Sequence, residues 1–313
     1  MKPMTENRRG VGPAAMLAGL LSAGTVLAAP GHFSECAGGR IEEAASGRVV
    51  DFAQVAGRAA AADHVLFGER HGIPEQAAAS ACVLSAMAGD ERPVTVVMEM
   101  LASDDDGVIE RYRADHPESA AGLGVALKWW DRGWPAYENW LPLIDRAFGL
   151  RAPLRGGDLS AEAARADGLT PREGKAAGKR LGPALAAVRE SWGKAMAAAH
   201  CGLLSPAQTA VEADRQIRRD LSIADKAEAA HAAGHRVLLQ VGRGHSRRDR
   251  SLYQALSREK AVVLAIGAYA EGEAVGAGER ALYDYVWIAG KASLTDPCKF
   301  TGATNTAGEP ASR

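Results

Sequence analysis

Short runs of aliphatic and β-branched residues alternate along this chain with long Ala-rich stretches of helical composition, and no other feature restricts the fold as strongly. A helix that returns each strand to the same sheet makes the strands parallel and covers both faces, so the expected architecture is a three-layer α/β/α fold with a mainly parallel central sheet. Val65-Leu66-Phe67-Gly68 is the first strand, and a helix follows over Pro74 to Ala88. Val94 to Met98 is the second strand, with helical segments near Gly107 to Ala114 and Tyr137 to Phe148. A third short strand around Ala152 to Gly157 ends at Asp158. The charged, Ala-rich stretch from about 160 to 226 contains no strand pattern and reads as a helical insertion, running into a long helix near Pro206 to Ala233. Val237 to Val241, Val262 to Ile266 and Tyr283 to Ile288 then return to the sheet.

The two ends of the chain stand outside this pattern. Lys2, Arg8 and Arg9 precede an uncharged run from Ala14 to Leu27, so residues 1–28 read as a cleavable export signal. That run is too short to span a bilayer. No cysteine follows it at once, which argues against a lipoprotein, and the expected location is periplasmic or secreted. The α/β domain then covers 29–300, and the polar residues 301–313 read as a flexible tail. Removing the signal takes away three basic groups and one acidic group, moving the formal net charge from −1 by two units to −3. A chain so balanced offers no basic footprint for nucleic acid. Four cysteines in an oxidising compartment point to disulfides. Cys36 with Cys298 is the favoured pair, because domain termini often lie close together; Cys82 reads as a core residue, and Cys201 as free, bridged or a ligand.

In a parallel sheet the carboxyl ends of the strands open onto the ligand crevice. Glu69 and His71 follow the first strand, Glu99 ends the second and Asp158 the third, and His245 follows Val237 to Val241. Repetition at four strand ends makes one rim of acids, bases and possible metal ligands the expected site. His231 and His235 have metal-ligand spacing, but no carboxylate accompanies them and a helix C-terminus favours histidine in any case. Residues 129–140 hold four of the six tryptophans. They can wall a flat apolar ligand or plug the space between sheet and helical insertion. Arg247, Arg248 and Arg250 can clamp carboxylates or form a solvated helical turn.

The motifs Gly68-Glu69-Arg70-His71, Met98-Glu99-Met100, Trp134-Pro135-Ala136-Tyr137, Pro171-Arg172-Glu173-Gly174, His200-Cys201-Gly202-Leu203-Leu204, Gln216 to Asp220, Gly242-Arg243-Gly244-His245 and Asp296-Pro297-Cys298 occur in an order that resembles the ChaN-like haem-binding uptake family. That family lies within a wider group including Tiki-type proteases, TraB-like proteins and erythromycin esterases. The resemblance covers nearly the whole chain after the signal. It departs at Gly72, where the family usually has an acidic residue, and at Arg243, where it usually has Asn.

The resemblance implies an exported protein that binds haem or another iron-containing small ligand in connection with iron uptake. The cofactor contacts would come from Tyr137, Trp134, His71, His245 and Arg247. The axial ligand stays open among Tyr137, His71, His200 and His245, since both phenolate and imidazole serve that role. Its enzyme relatives imply an alternative, a hydrolase with Glu69, His71, Glu99 and His245 as catalytic groups or as ligands of a divalent metal. A monomer and a homodimer are both compatible with the sequence.

Overall fold

The structure is a computed structural model that describes residues 36, 38–89, 92–257, 261–295 and 297–300. The signal and tail expectations therefore fall outside the described residues. In chain order the strands are β1 (Arg40–Glu43), β2 (Val49–Val50), β3 (His64–Glu69), β4 (Val94–Ala102), β5 (Leu154–Asp158), β6 (Arg236–Gly242), β7 (Val263–Tyr269) and β8 (Tyr285–Ile288). The helices are α1 (Phe52–Ala61), α2 (Pro74–Met87), α3 (Asp106–Asp115), α4 (Leu123–Ala126), α5 (Leu141–Gly149), α6 (Pro171–Leu181), α7 (Ala184–Ala199), α8 (Pro206–Ala232), α9 (Ser251–Leu256) and α10 (Ala277–Arg280).

The strands form one sheet in the order β2-β1-β8-β7-β3-β6-β4-β5. β8 through β5 are parallel, as the alternation requires, and β1 and β2 add an antiparallel edge. That edge has no counterpart in the sequence reading. Its strands are only four and two residues long, and Arg40, Glu42 and Glu43 break the apolar pattern that marks the others.

β3 is central, between β7 and β6, and all six of its residues are buried. Consecutive residues point to opposite faces. Phe67 joins a core with Val83, Leu84, Leu143, Ile144 and Trp287. Leu66 joins the opposite core with Val97, Leu239, Trp192, Ile217 and Leu252. Truncating Leu66, which has no exposed surface, to alanine would cost about 2–5 kcal/mol.

No strand lies between β5 and β6; α6, α7 and α8 occupy that stretch. Thr170 with Glu173 and Ser205 with Gln208 form capping boxes that start α6 and α8, each with proline in the first turn. Helix α8 is 27 residues long against seven in β6, which it precedes, so its first half projects beyond the carboxyl ends of the strands. No helix among the described residues is long and apolar enough to cross a membrane.

The disulfides are Cys36–Cys82 and Cys201–Cys298, with Cα separations of 5.7 and 5.3 Å, and this corrects the expected Cys36–Cys298 pair. Cys36 lies over α2 as the chain enters β1, which brings it to Cys82. Beyond β8 the chain instead runs to the turn between α7 and α8, where Cys201 stands.

Candidate functional site

Parallel register sets Glu69 at the end of β3 beside Gly242 at the end of β6, with Glu99 one residue past the β4 position that pairs with Gln240. The rim expected from the strand ends thus forms. Glu69 is buried and its two oxygens are occupied separately: Oε1 accepts from Trp140 Nε1 at 2.5 Å, and Oε2 accepts from Gln240 Nε2 at 2.5 Å. Oε1 also meets His71 Nδ1 at 3.0 Å. An ionised carboxylate only accepts, so Nδ1 carries the proton and Nε2 faces outward from this pair. Nε2 lies 4.0 Å from Glu99 Oε2.

Glu99 ties the rim together. Its Oε2 accepts the Gly242 N–H at 2.6 Å, and its Oε1 is 3.3 Å from His245 Nε2 and 3.4 Å from Arg219 Nη1. His245 Nδ1 donates to Asp220 Oδ1 at 2.6 Å. Asp220 is fully buried, and its other oxygen accepts from Trp192 Nε1 at 3.1 Å and from the Ser251 hydroxyl. Arg219 donates from Nε to Asp158 Oδ1 at 2.9 Å. The result is a file of alternating charges, Glu69, His71, Glu99, His245 and Asp220, walled by Arg219 and Asp158.

Burial opposes the charges of His71, Glu99 and His245, yet their partners prevail. Desolvation pulls the His245 imidazole down, but the Glu99 and Asp220 carboxylates raise it to about 9. Desolvation pushes Glu99 up, but His245, His71 and Arg219 hold it well below the usual carboxylate range. His71 is likewise raised: the Glu69 hydrogen bond and the Glu99 charge overcome its burial. For Asp158 burial wins, and its carboxyl is raised despite Arg219.

Two glycines make room for this arrangement. A Cβ at Gly242 would stand 2.9 Å from His71 Nε2 and 3.3 Å from Glu99 Oε2. Gly72 has φ +93°, with Pro135 carbons 3.3 Å from where a Cβ would lie, so the acidic residue usual in the family would be strained there. Arg243, the other departure, leaves the rim: it stacks on Tyr269 at 3.8 Å and pairs with Glu273 at 2.6 Å.

The remaining expected residues divide. Trp134 joins the site, its ring 5.0 Å from the His71 ring and nearly edge-on. Trp129 and Trp140 belong to the core, whereas Trp130 is 67% exposed. The tryptophan-rich segment is therefore part plug and part surface. Tyr137 does not reach the rim; it is buried, donates its hydroxyl to the Ala120 carbonyl at 2.8 Å, and is pushed far above the ordinary tyrosine range by that burial. Arg247 donates twice to Asp249, at 2.8 and 2.7 Å, and lines a separate cavity of about 550 Å³ beside Ser191 and Lys194. His200 lies at the C-terminus of α7, bonded to the Met196 carbonyl. His231 packs on His64 at 5.0 Å and His235 bonds Thr95 at 2.8 Å, both at the opposite end of the sheet.

The expected metal site at Glu69, His71, Glu99 and His245 is not borne out by their geometry. Among the described residues no group of three or more His, Cys, Asp or Glu is arranged to hold an ion. Both His245 nitrogens face carboxylates, and each oxygen of Glu99 and Glu69 already accepts from at least one donor. The residues that complete the rim, Arg219, Asp220, Gln240 and Trp192, were not singled out as site residues, although Arg219 and Asp220 lie inside one of the motifs of the resemblance; Trp140, expected with its segment as a ligand wall or a plug, holds Glu69.

Haem asks for an accessible imidazole or phenolate and an apolar face. His71 provides the first, with 28% of its side chain exposed against 8% for His245, and Trp134 lies against it. The residues present therefore fit the group.

A family model described as haem-binding uptake, Tiki superfamily, ChaN matches residues 55–256. Among solved structures, one described as cofacial haem binding to ChaN of Campylobacter jejuni is 18% identical, with a TM-score of 0.61 over 80% of this chain and 96% of that one. The type III effector HopBA1 is 14% identical, covering 76% of this chain and 92% of that one, at a TM-score of 0.42. An erythromycin esterase, a mutant of EreC in its open conformation, is 14% identical, covering 82% and 83%, at 0.41. A search of curated proteins finds no significant match. The family match runs from α1 to α9, taking in β3 to β6 and every member of the charge file, and on that ground this chain belongs to the ChaN family of haem-binding uptake proteins in the Tiki superfamily.

Proposed function

We propose that this protein is an exported haem carrier serving iron uptake, and that it holds haem at the carboxyl ends of the sheet strands with His71 as the axial ligand. The single observation that carries the choice of ligand is the state of the four candidates. Tyr137 is buried and bonded to a carbonyl, and His245 has a carboxylate on each nitrogen. His200 lies away from the rim, at the end of α7. His71 alone combines a place on the rim, an Nδ1 fixed by Glu69 and a side chain that is 28% exposed. Bound haem would supply an iron that accepts one nitrogen lone pair. Glu69 would orient the imidazole and raise its basicity, as carboxylates do behind metal-binding histidines. Trp134 would rest against the macrocycle.

Arg70 offers the propionate contact in place of Arg247. Its Nη2 donates to the Ser293 carbonyl at 2.8 Å, and among the described residues no carboxylate pairs with it. The two disulfides support an oxidising destination, where such bonds persist. The hydrolase reading has less behind it, because three of its four groups, Glu69, Glu99 and His245, are engaged by other partners, which leaves His71 alone available.

A haemin titration of the domain lacking residues 1–28, followed at the Soret band, tests the proposal. Wild type should saturate near one haem per site, and His71→Ala should weaken binding at least tenfold. Equal affinity in wild type and His71→Ala would refute the ligand assignment, and no saturable change in wild type would refute haem binding.

A further inference from the structure

The chain does not end its business at β8. After Ile288 it turns at Gly290, whose φ is +74° and where a Cβ would stand 2.4 Å from Ile73 Cγ2. Glu271 N–H donates to the Gly290 carbonyl at 2.8 Å. Residues 291–295 then continue without regular structure. They lie on the His71 loop: Arg70 Nη2 holds the Ser293 carbonyl at 2.8 Å, and Leu294 comes within 3.2 Å of the Cβ position of Gly272. Beyond them Cys298 is bonded to Cys201.

Cys201 tops the other wall of the site. It follows α7 and precedes α8, whose first residue is Pro206, while Arg219 and Asp220 on the same helix face Glu99 and His245. The thirteen steps along the helix from Pro206 to Arg219 rise about 20 Å at 1.5 Å each, so the hairpin tip stands well above the rim. A segment held beside Ile73 at Gly290 and bonded to Arg70 at Ser293 thus runs beside the loop that carries His71, and the chain beyond it is tied to that tip through Cys298.

We infer that Gly290–Thr295 is a strap that restricts access to His71 and that the Cys201–Cys298 disulfide is its latch, which a dithiol can release. Dithiol attack breaks the S–S bond, the two sulfurs leave as thiols with two protons, and the dithiol is oxidised to its disulfide. The strap then loses its covalent tie to the hairpin and keeps the Gly290 anchor, the Arg70 hydrogen bond and the Leu294 contact. The inference rests on the haem reading only for what passes the strap, not for the strap itself.

The test therefore reads access to His71 without haem. The oxidised domain, the same domain in dithiothreitol, a Cys201→Ser/Cys298→Ser variant and a Cys36→Ser/Cys82→Ser variant are treated with diethylpyrocarbonate, and acylation of His71 is timed by mass spectrometry. Opening the latch should raise the rate at least fivefold, and opening Cys36–Cys82 should not. Haem transfer to an excess of apoglobin, timed on the same proteins, should accelerate in parallel. Reduction of folded wild type answers the question if the double variant fails to fold. A His71 rate unchanged by both routes overturns the inference. A faster His71 rate in a protein that takes up no haem upholds the strap and refutes the haem reading.

Discussion

The His245 imidazole should make the stability of this protein fall as the pH rises through the mildly alkaline range. Unfolded, the group titrates near its ordinary 6.5; folded between Glu99 and Asp220, it titrates at about 9. A raised value means that the folded state holds a proton the unfolded state has lost, so the stabilisation is complete below pH 6.5 and vanishes as the pH passes 9. At about 1.4 kcal/mol per pH unit, the interval between the two is worth about 3 kcal/mol. No discount for solvent screening applies, because His245 is only 6% exposed. Glu99 acts in the opposite direction: its lowered value stabilises above its ordinary 4.5 and is lost as the pH falls through that lowered value. Maximal stability should therefore lie between about pH 4.5 and 6.5. The assay is urea unfolding with disulfides intact at pH 6.0 and 9.5, comparing wild type with His245→Gln, which is neutral throughout. A domain of this size loses about 3 kcal/mol per molar urea, so the wild-type midpoint should drop by about 1 M between the two pH values. The variant should start lower, because removing one partner leaves Glu99 and Asp220 facing each other, and its midpoint should change far less. A wild-type midpoint that stays level or climbs, or a variant with the wild-type slope, would refute the reasoning.

Three further outcomes follow from the site. Haem binding should weaken as the pH falls through the raised His71 value, since the proton on Nε2 competes with iron for the same lone pair; Soret titrations from pH 5.5 to 8.5 would show it, and a flat profile would exclude His71 as ligand. Gly242→Ala places a methyl 2.9 Å from His71 Nε2 and should cost about 1–3 kcal/mol in urea unfolding while lowering haem affinity; a variant with wild-type binding would mean that the imidazole is not confined there. Tyr137→Phe removes the hydrogen bond to the Ala120 carbonyl and should cost about 1 kcal/mol of stability with no change in the Soret titration.

The interior strands could be read from sequence because β3, β4, β6 and β7 are covered on both faces, and such strands must be continuously apolar. The rule that ligands gather at strand ends then placed Glu69, His71, Glu99 and His245 together without any coordinates. Arg219 and Asp220 escaped that logic. They come from a helix, and which turn of α8 meets the rim depends on how far the helix slides along the sheet, which no local pattern records. The parts played by Trp140 and Gln240 were hidden for a related reason, since both hold Glu69 rather than face a ligand. Tyr137 looked available from its motif, but its hydroxyl was claimed by a carbonyl 17 residues earlier in the chain. The cysteine pairing depended on the path of the chain after β8, where spacing says nothing.

The observed pairing has a consequence for how the protein is made. Cys36 joins Cys82 and Cys201 joins Cys298, so each bridge links consecutive cysteines and the two loops, with sequence separations of 46 and 97, neither overlap nor nest. A chain delivered N-terminus first presents its thiols in the order in which they must be coupled. An oxidase that joins each new cysteine to the last unpaired one makes both native bonds without error, and no isomerase is needed to undo a wrong one. The first bridge can close once α2 has emerged, while β6 and β7 are still to come. The second waits for nearly the whole chain, so its formation reports that the last strand has arrived.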